Sequence, residues 1–96
     1  MPVLRCCYVR LHTANVGDRV GWAMRIREVL AAQAIVADVG EPADDSAARW
    51  DLAIVIRCAS LSAWQALAAR PSLAQLFDHD LPAAAVVVKA WTFTIP

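Results

Sequence analysis

The sequence has no surplus of either charge: nine basic and nine acidic side chains among 96 residues leave it formally neutral. A nucleic-acid footprint needs clustered Lys and Arg in excess, so no nucleic-acid partner is expected. Apolar residues make up 59% of the chain, yet no uninterrupted stretch approaches the ~20 residues that span a bilayer, and no membrane partner is expected either. The opening Met-Pro-Val-Leu-Arg-Cys-Cys lacks the charged region, apolar core and cleavage site of a secretory signal. Cysteines are few and odd in number, Cys6, Cys7 and Cys58, which points to reduced thiols in a cytoplasmic protein rather than a disulfide framework. No repeat or low-complexity segment stands out beyond a richness in alanine. Glu41, Asp44 and Asp45 lie in a proline-containing stretch without the alternating oxygen ligands and closing Glu of a calcium loop. It reads as a solvated loop, and neither a metal nor a cofactor is expected.

What is present is organised around Trp50–Pro71. Residues 51–58 carry Leu52, Ala53, Ile54, Val55 and Ile56 without a polar interruption, an apolar run too short for a free-standing helix and rich in β-branched residues. A strand wetted on one side alternates apolar and polar; this one does not, so both its faces should be covered. Ser60 or Ser62 can cap the next helix. Leu61, Trp64, Leu67 and Ala68 then recur at helical spacing as one apolar stripe, and Pro71 stops the helix by restricting Arg70.

The rest of the chain falls into place around this unit. Residues 4–11 predict a first strand, with Cys6 and Tyr8 on one face and Cys7, Val9 and Leu11 on the other. A loop over 12–17 leads to a helix over 18–33, capped by Asp18. Its apolar arc is Val20, Ala23, Met24, Ile26, Leu30 and Ala31, with Arg25 and Glu28 toward solvent. Arg27 lies near that arc, read as a stem that packs while its head reaches water or, less simply, as a buried anion anchor. A short strand over 35–39 follows. After the central strand and helix, 72–77 extends the helical path with Leu73, Leu76 and Phe77 inward, and 83–95 forms the last strand. One α+β domain over 1–96 results, in the order βαββαβ: a four-stranded antiparallel sheet with both helices on one face. The other face would be left bare and apolar, which a soluble monomer rarely tolerates. A twofold homodimer packing sheet against sheet, with the C-terminal strand reaching the partner, is the expected assembly.

The stretches Trp50-Asp51-Leu52-Ala53-Ile54-Val55-Ile56, Ala59-Ser60-Leu61-Ser62-Ala63-Trp64, Arg70-Pro71-Ser72-Leu73, Leu81-Pro82 and Val86-Val87-Val88-Lys89-Ala90-Trp91-Thr92-Phe93 resemble the stress-responsive dimeric α/β-barrel (Dabb) family. The resemblance covers nearly the whole chain in element order and implies a ferredoxin-like homodimer whose two sheets close into a barrel. A few members close polyketides in a cavity between sheet and helices, using a histidine after the second helix and a tyrosine six residues before it. Those positions hold Leu73 and Leu67 here, and the first-strand histidine common in the family falls at or near Cys6. Leucine cannot move a proton, and acid–base catalysis needs a titratable group within reach.

No catalytic residue is therefore assigned. Adjacent Cys6 and Cys7 point to opposite faces of a strand and read as buried, inert thiols; Cys6 would need a base to act as a nucleophile. His12 and His79 read as surface residues, and Asn15, Trp64 and His79 do not match the positions used by haem-degrading relatives of this barrel. Trp22, Trp50, Trp64 and Trp91 supply apolar area to core and seam, or wall a pocket for a flat ligand. The expectation is a non-catalytic, stress-linked homodimer. It would bind a small hydrophobic or aromatic molecule in a cavity lined by Cys6, Tyr8, Trp64, Leu67, Leu73 and Phe77. The alternative is a cyclase- or monooxygenase-like enzyme with a site rewired around Cys6, Tyr8 and Arg10.

Overall fold

A computed structural model describes residues 1–13 and 15–96. Four strands, β1 (Val3–Leu11), β2 (Val36–Gly40), β3 (Leu52–Cys58) and β4 (Ala85–Thr94), alternate with helical segments. These are α1 (Val16–Ala32), a 3-10 turn (Asp45–Ala47), α2 (Leu61–Ala68), α3 (Pro71–Ala74), a π-helical turn (Gln75–Asp80) and α4 (Leu81–Ala84). The sheet runs β2-β3-β1-β4 with every neighbouring pair antiparallel. β1 and β2 therefore run parallel with β3 between them, the split βαβ arrangement. The α+β order and the antiparallel sheet are as the sequence predicts.

The pleat of β1 divides the molecule. Val3, Cys7, Val9 and Leu11 are buried in one core with Leu52, Ile54 and Ile56 of β3, Ala23, Ile26 and Leu30 of α1, and Leu73, Leu76 and Leu81. Leu4, Cys6, Tyr8 and Arg10 alternate with them and so lie on the opposite face. β4 follows this parity through a bulge: Arg10 pairs with Val87 but Leu11 with Ala85, so the additional residue, Val86, lets Ala85 turn back into the core.

Several boundaries and faces differ from the expectations. Asn15, not Asp18, caps α1; its side chain accepts from the Asp18 N–H, and the helix begins at Val16. Of the loop expected over 12–17, Ala14 lies outside the described residues. The buried face of α1 is Ala23, Ile26 and Leu30, flanked by Trp22 and Val29, whereas Val20 and Met24 are exposed. Sequence spacing drew the apolar arc too wide because α1 meets the sheet along a narrow line. Arg27 is an exposed tie: its Nη2 donates to the Val39 carbonyl of edge strand β2 at 2.6 Å. Ser60 caps α2 by accepting from the Ala63 N–H, but Leu61 points to solvent and Ala63, Trp64 and Leu67 face inward. The helical path runs past Phe77 to Ala84, so β4 starts at Ala85 rather than at residue 83. Pro82 stands in the first turn of α4, directly after the π-helical turn Gln75–Asp80.

Two local devices hold the frame. Asp51 is buried; its carboxylate accepts from the Leu11 N–H and from Arg19 Nε, each at 2.8 Å, tying β1, α1 and the start of β3 together. At the end of α1, Ile35 N–H donates to Leu30 and Ala34 N–H to Ala31, a Schellman stop that puts Ala34 at φ 56° where glycine is favoured. Two stability outcomes follow. Asp51→Ala, which orphans the Leu11 amide and Arg19, should cost about 2–4 kcal/mol in urea unfolding. Ala34→Gly should stabilise by about 1 kcal/mol, by removing the Cβ penalty of the left-handed conformation.

Candidate functional site

The helix face of the sheet is not filled everywhere. Between α2, the π-helical turn and the sheet lies a cavity of about 190 Å3. Its floor is built from inward residues of three strands: Arg5 and Cys7 of β1, Ile56 of β3, and Val88 and Ala90 of β4. Its walls are Trp64 and Ala68 of α2, Leu73 of α3, and Phe77 with Asp78 from the π-helical turn. The space exists because small side chains, Cys7, Ala68 and Ala90, meet where a packed core would place leucines. No residue of α2 is fully buried, so this helix covers the cavity without plugging it.

Arg5 is the polar feature of the floor. Its Nη1 donates to Thr92 Oγ1 of β4, its register partner, at 2.9 Å. Its guanidinium lies over the Trp64 ring at 5.3 Å from the centroid, a cation–π contact that fixes both groups. Among the described residues Arg5 has no carboxylate within ion-pair distance, and the acidic partners in the structure serve Arg19 and Arg25 instead. Cys7 is 5% exposed; burial pushes its thiol up to about 11, with the Arg5 charge pulling weakly the other way. Asp78 is exposed at the mouth.

Of the six residues expected to line a cavity, the structure brings Trp64, Leu73 and Phe77 together here. Leu67 packs against the core from the same helix, and Ala68 occupies the cavity wall in its place. Cys6 and Tyr8 are on the other face of the sheet. The strand's alternation that put them together also turns both away from the helices, and Arg5 and Cys7 take the inward positions. The first-strand position given to the family histidine, at or near Cys6, thus falls between the two residues that do face the cavity. The signal for this was the aliphatic weight of the other parity, Val3, Val9 and Leu11, against Leu4 alone on the face of Cys6 and Tyr8. The rewired constellation of Cys6, Tyr8 and Arg10 accordingly lies outside the helix-side cavity. His12 and His79 are both exposed, and Asp44 accepts from the Ser46 N–H and hydroxyl at a short turn of the acidic loop.

On the open face Tyr8 is flanked by Trp50 and Trp91, with ring centroids 5.8 and 5.9 Å away. Trp91 and Phe93 remain 46% and 54% exposed, opposite Cys6 and Leu4 on β1. Arg57 and Lys89 stand exposed around this apolar patch.

No protein-family model matches the chain, and no curated protein matches it either. Solved structures do. A Dabb family protein with a ferredoxin-like fold from Mesorhizobium loti is similar over 99% of this chain and 97% of its own, at TM-score 0.82 and 7% identity. A dimeric ferredoxin-like protein of unknown function from Thermobifida fusca is similar over 99% and 92%, at TM-score 0.79 and 16% identity. The hydroxynitrile lyase of Passiflora edulis covers 99% and 94%, at TM-score 0.78 and 12% identity. The chain shares the ferredoxin-like fold of these proteins, the fold that the sequence resemblance implies.

The electrostatics of the cavity give a chemical prediction. A thiol near 11 is protonated at pH 7.5, with roughly one molecule in a few thousand as thiolate, and thiolate is the nucleophile. Cys7 should therefore resist iodoacetamide in the folded protein and react once urea is added, as read by mass spectrometry. The sign for stability follows from the same shift: the contribution from keeping Cys7 protonated is complete below the ordinary thiol value of 9.0 and is lost as pH rises through about 11.

Proposed function

We propose that the protein is a Dabb-like homodimeric α/β barrel that binds a small hydrophobic or aromatic molecule in the cavity under α2, without catalysis. The observation that carries this reading is a cavity walled by Trp64, Leu73 and Phe77 whose two floor groups able to ionise, Arg5 and Cys7, are poorly suited to proton transfer. A guanidinium is a permanent cation, and the Cys7 thiol is held protonated by burial. A stress-linked, cytoplasmic role accords with the resemblance to Dabb proteins and with three free, buried cysteines. The dimer is supported by the apolar open face, where Leu4, Cys6, Tyr8, Trp91 and Phe93 adjoin, and by the dimeric state of the Thermobifida protein. A second copy packed on that face would cover Trp91 and Phe93, and the long edge strand β4 would extend toward it.

A second reading, an enzyme with a rewired cyclase- or monooxygenase-like site, is favoured by one group. Asp78 places a carboxylate at the cavity mouth, and the same fold serves a lyase in Passiflora edulis. On that reading a bound compound is consumed and Asp78→Asn stops the reaction; on the binding reading it is recovered unchanged.

Light scattering after size exclusion should give a mass near twice 10.4 kDa. Trp91→Asp, which buries a charge in the seam, should weaken self-association by about 100-fold or more and give monomer at micromolar concentration. A monomeric parent protein would contradict the barrel. For the cavity, benzyl alcohol should quench tryptophan fluorescence saturably, and Ala68→Phe, which fills the space from α2, should abolish the effect while the fold is retained. Equal quenching in the variant would place the ligand elsewhere.

A further inference from the structure

We infer that the cavity under α2 selects a small aromatic acid, its ring between Trp64 and Phe77 and its carboxylate on the Arg5 guanidinium. The inference rests on the binding reading above and adds to it the charge of the ligand. The first observation is size. A cavity of about 150 Å3 holds benzene, so about 190 Å3 accommodates one aromatic ring and a substituent of a few atoms. The second is the state of Arg5. A half-buried guanidinium would ordinarily sit against a carboxylate, yet among the described residues Arg5 has one hydroxyl partner, Thr92, and one aromatic face, Trp64. Its remaining N–H donors are uncommitted, and it lines the cavity. Those donors match the two oxygens of a carboxylate, which accept a guanidinium fork in parallel.

The third observation is that Arg5 is preorganised. The Thr92 hydrogen bond anchors one side of its head and the Trp64 ring covers a face, so little side-chain freedom is left to lose on binding. Trp64 thereby serves both groups of the ligand, as a wall for the ring and as the surface that orients Arg5. Apolar side chains on several sides of the half-buried Arg5 lower the local dielectric, which strengthens an ion pair there relative to a fully exposed one. Asp78 at the mouth opposes an incoming anion from solvent, so the fit is for an acid small enough to pass beneath it with its charge buried at Arg5.

The test is a calorimetric titration of the intact protein at pH 7 with benzoate and with its neutral isostere benzamide. Benzoate should bind about tenfold or more tighter. Arg5→Met should abolish the preference, so that the variant binds benzoate no tighter than benzamide, and a preference retained in full would overturn the inference. Should Arg5→Met fail to fold, Asp78→Asn serves, since its site is exposed: benzoate should tighten two- to threefold with benzamide unchanged, and an unchanged or weaker benzoate affinity would overturn the inference. Equal affinities for the two probes in the parent protein would overturn the charge assignment but leave the aromatic cavity standing. No binding of either at millimolar concentration would overturn both.

Discussion

The pleat of β1 is the constraint from which the rest of the structure follows. A strand in the middle of a sheet must send successive side chains to opposite faces, and here both faces carry consequences. Val3, Cys7, Val9 and Leu11 are committed to the core beneath the helices. That commitment fixes Arg5 on the same side, because it shares their parity, and it fixes Cys6 and Tyr8 on the other. A one-residue slip in register would exchange the two sets. It would put Tyr8 and Arg10 beneath the helices and Val9 and Leu11 in the open, so the core strongly specifies the arrangement.

Given that parity, the cavity is a consequence of side-chain size and of how α2 is held. α1 packs into the sheet with fully buried Ala23, Ile26 and Leu30, while α2 rests on half-buried side chains. A helix anchored that lightly can stand off a floor made of Cys7, Val88 and Ala90, because of its side chains only Trp64 and the small Ala68 line the cavity. The π-helical turn contributes by bringing Phe77 and Asp78 to the same opening while Leu76 stays in the core. Arg5 then occupies a setting rare for a cation: an aromatic face above, a hydroxyl beside it, and a protonated thiol two residues along the strand.

Much of this architecture was legible in the sequence. The unbroken apolar run of β3, the serine before α2 and the proline after it have direct physical meanings, and each appears in the structure as β3, the Ser60 cap and the Pro71 start of α3. The resemblance to Dabb proteins conveyed the same fold. What was not legible is phase. Alternation alone says that Cys6 and Tyr8 travel together, but not which way they face; each face carries one arginine, Arg5 or Arg10, so only the aliphatic weight of Val3, Val9 and Leu11 against the single Leu4 decides it. Helix α1 misled for a related reason: Val20 and Met24 sit at helical spacing from the core positions, yet the contact line with the sheet is too narrow to cover them. The extension of the helical path to Ala84 was hidden by Asp78-His79-Asp80 and Pro82, a polar and proline-marked stretch that resembles a loop but continues as a π-helical turn and α4.

The two faces of β1 thus offer two places for an aromatic ligand: the cavity by Trp64 and Phe77, and the open face by Tyr8, Trp50 and Trp91. We propose that the first is the binding site and the second is the seam. Anomalous diffraction from crystals soaked in 4-bromobenzoate tests it directly, since the bromine marks the ring without ambiguity. The account predicts a bromine peak between Trp64 and Phe77, with the carboxylate density at Arg5. A peak on the open face beside Tyr8 and Trp91, with the helix-side cavity empty, would contradict it.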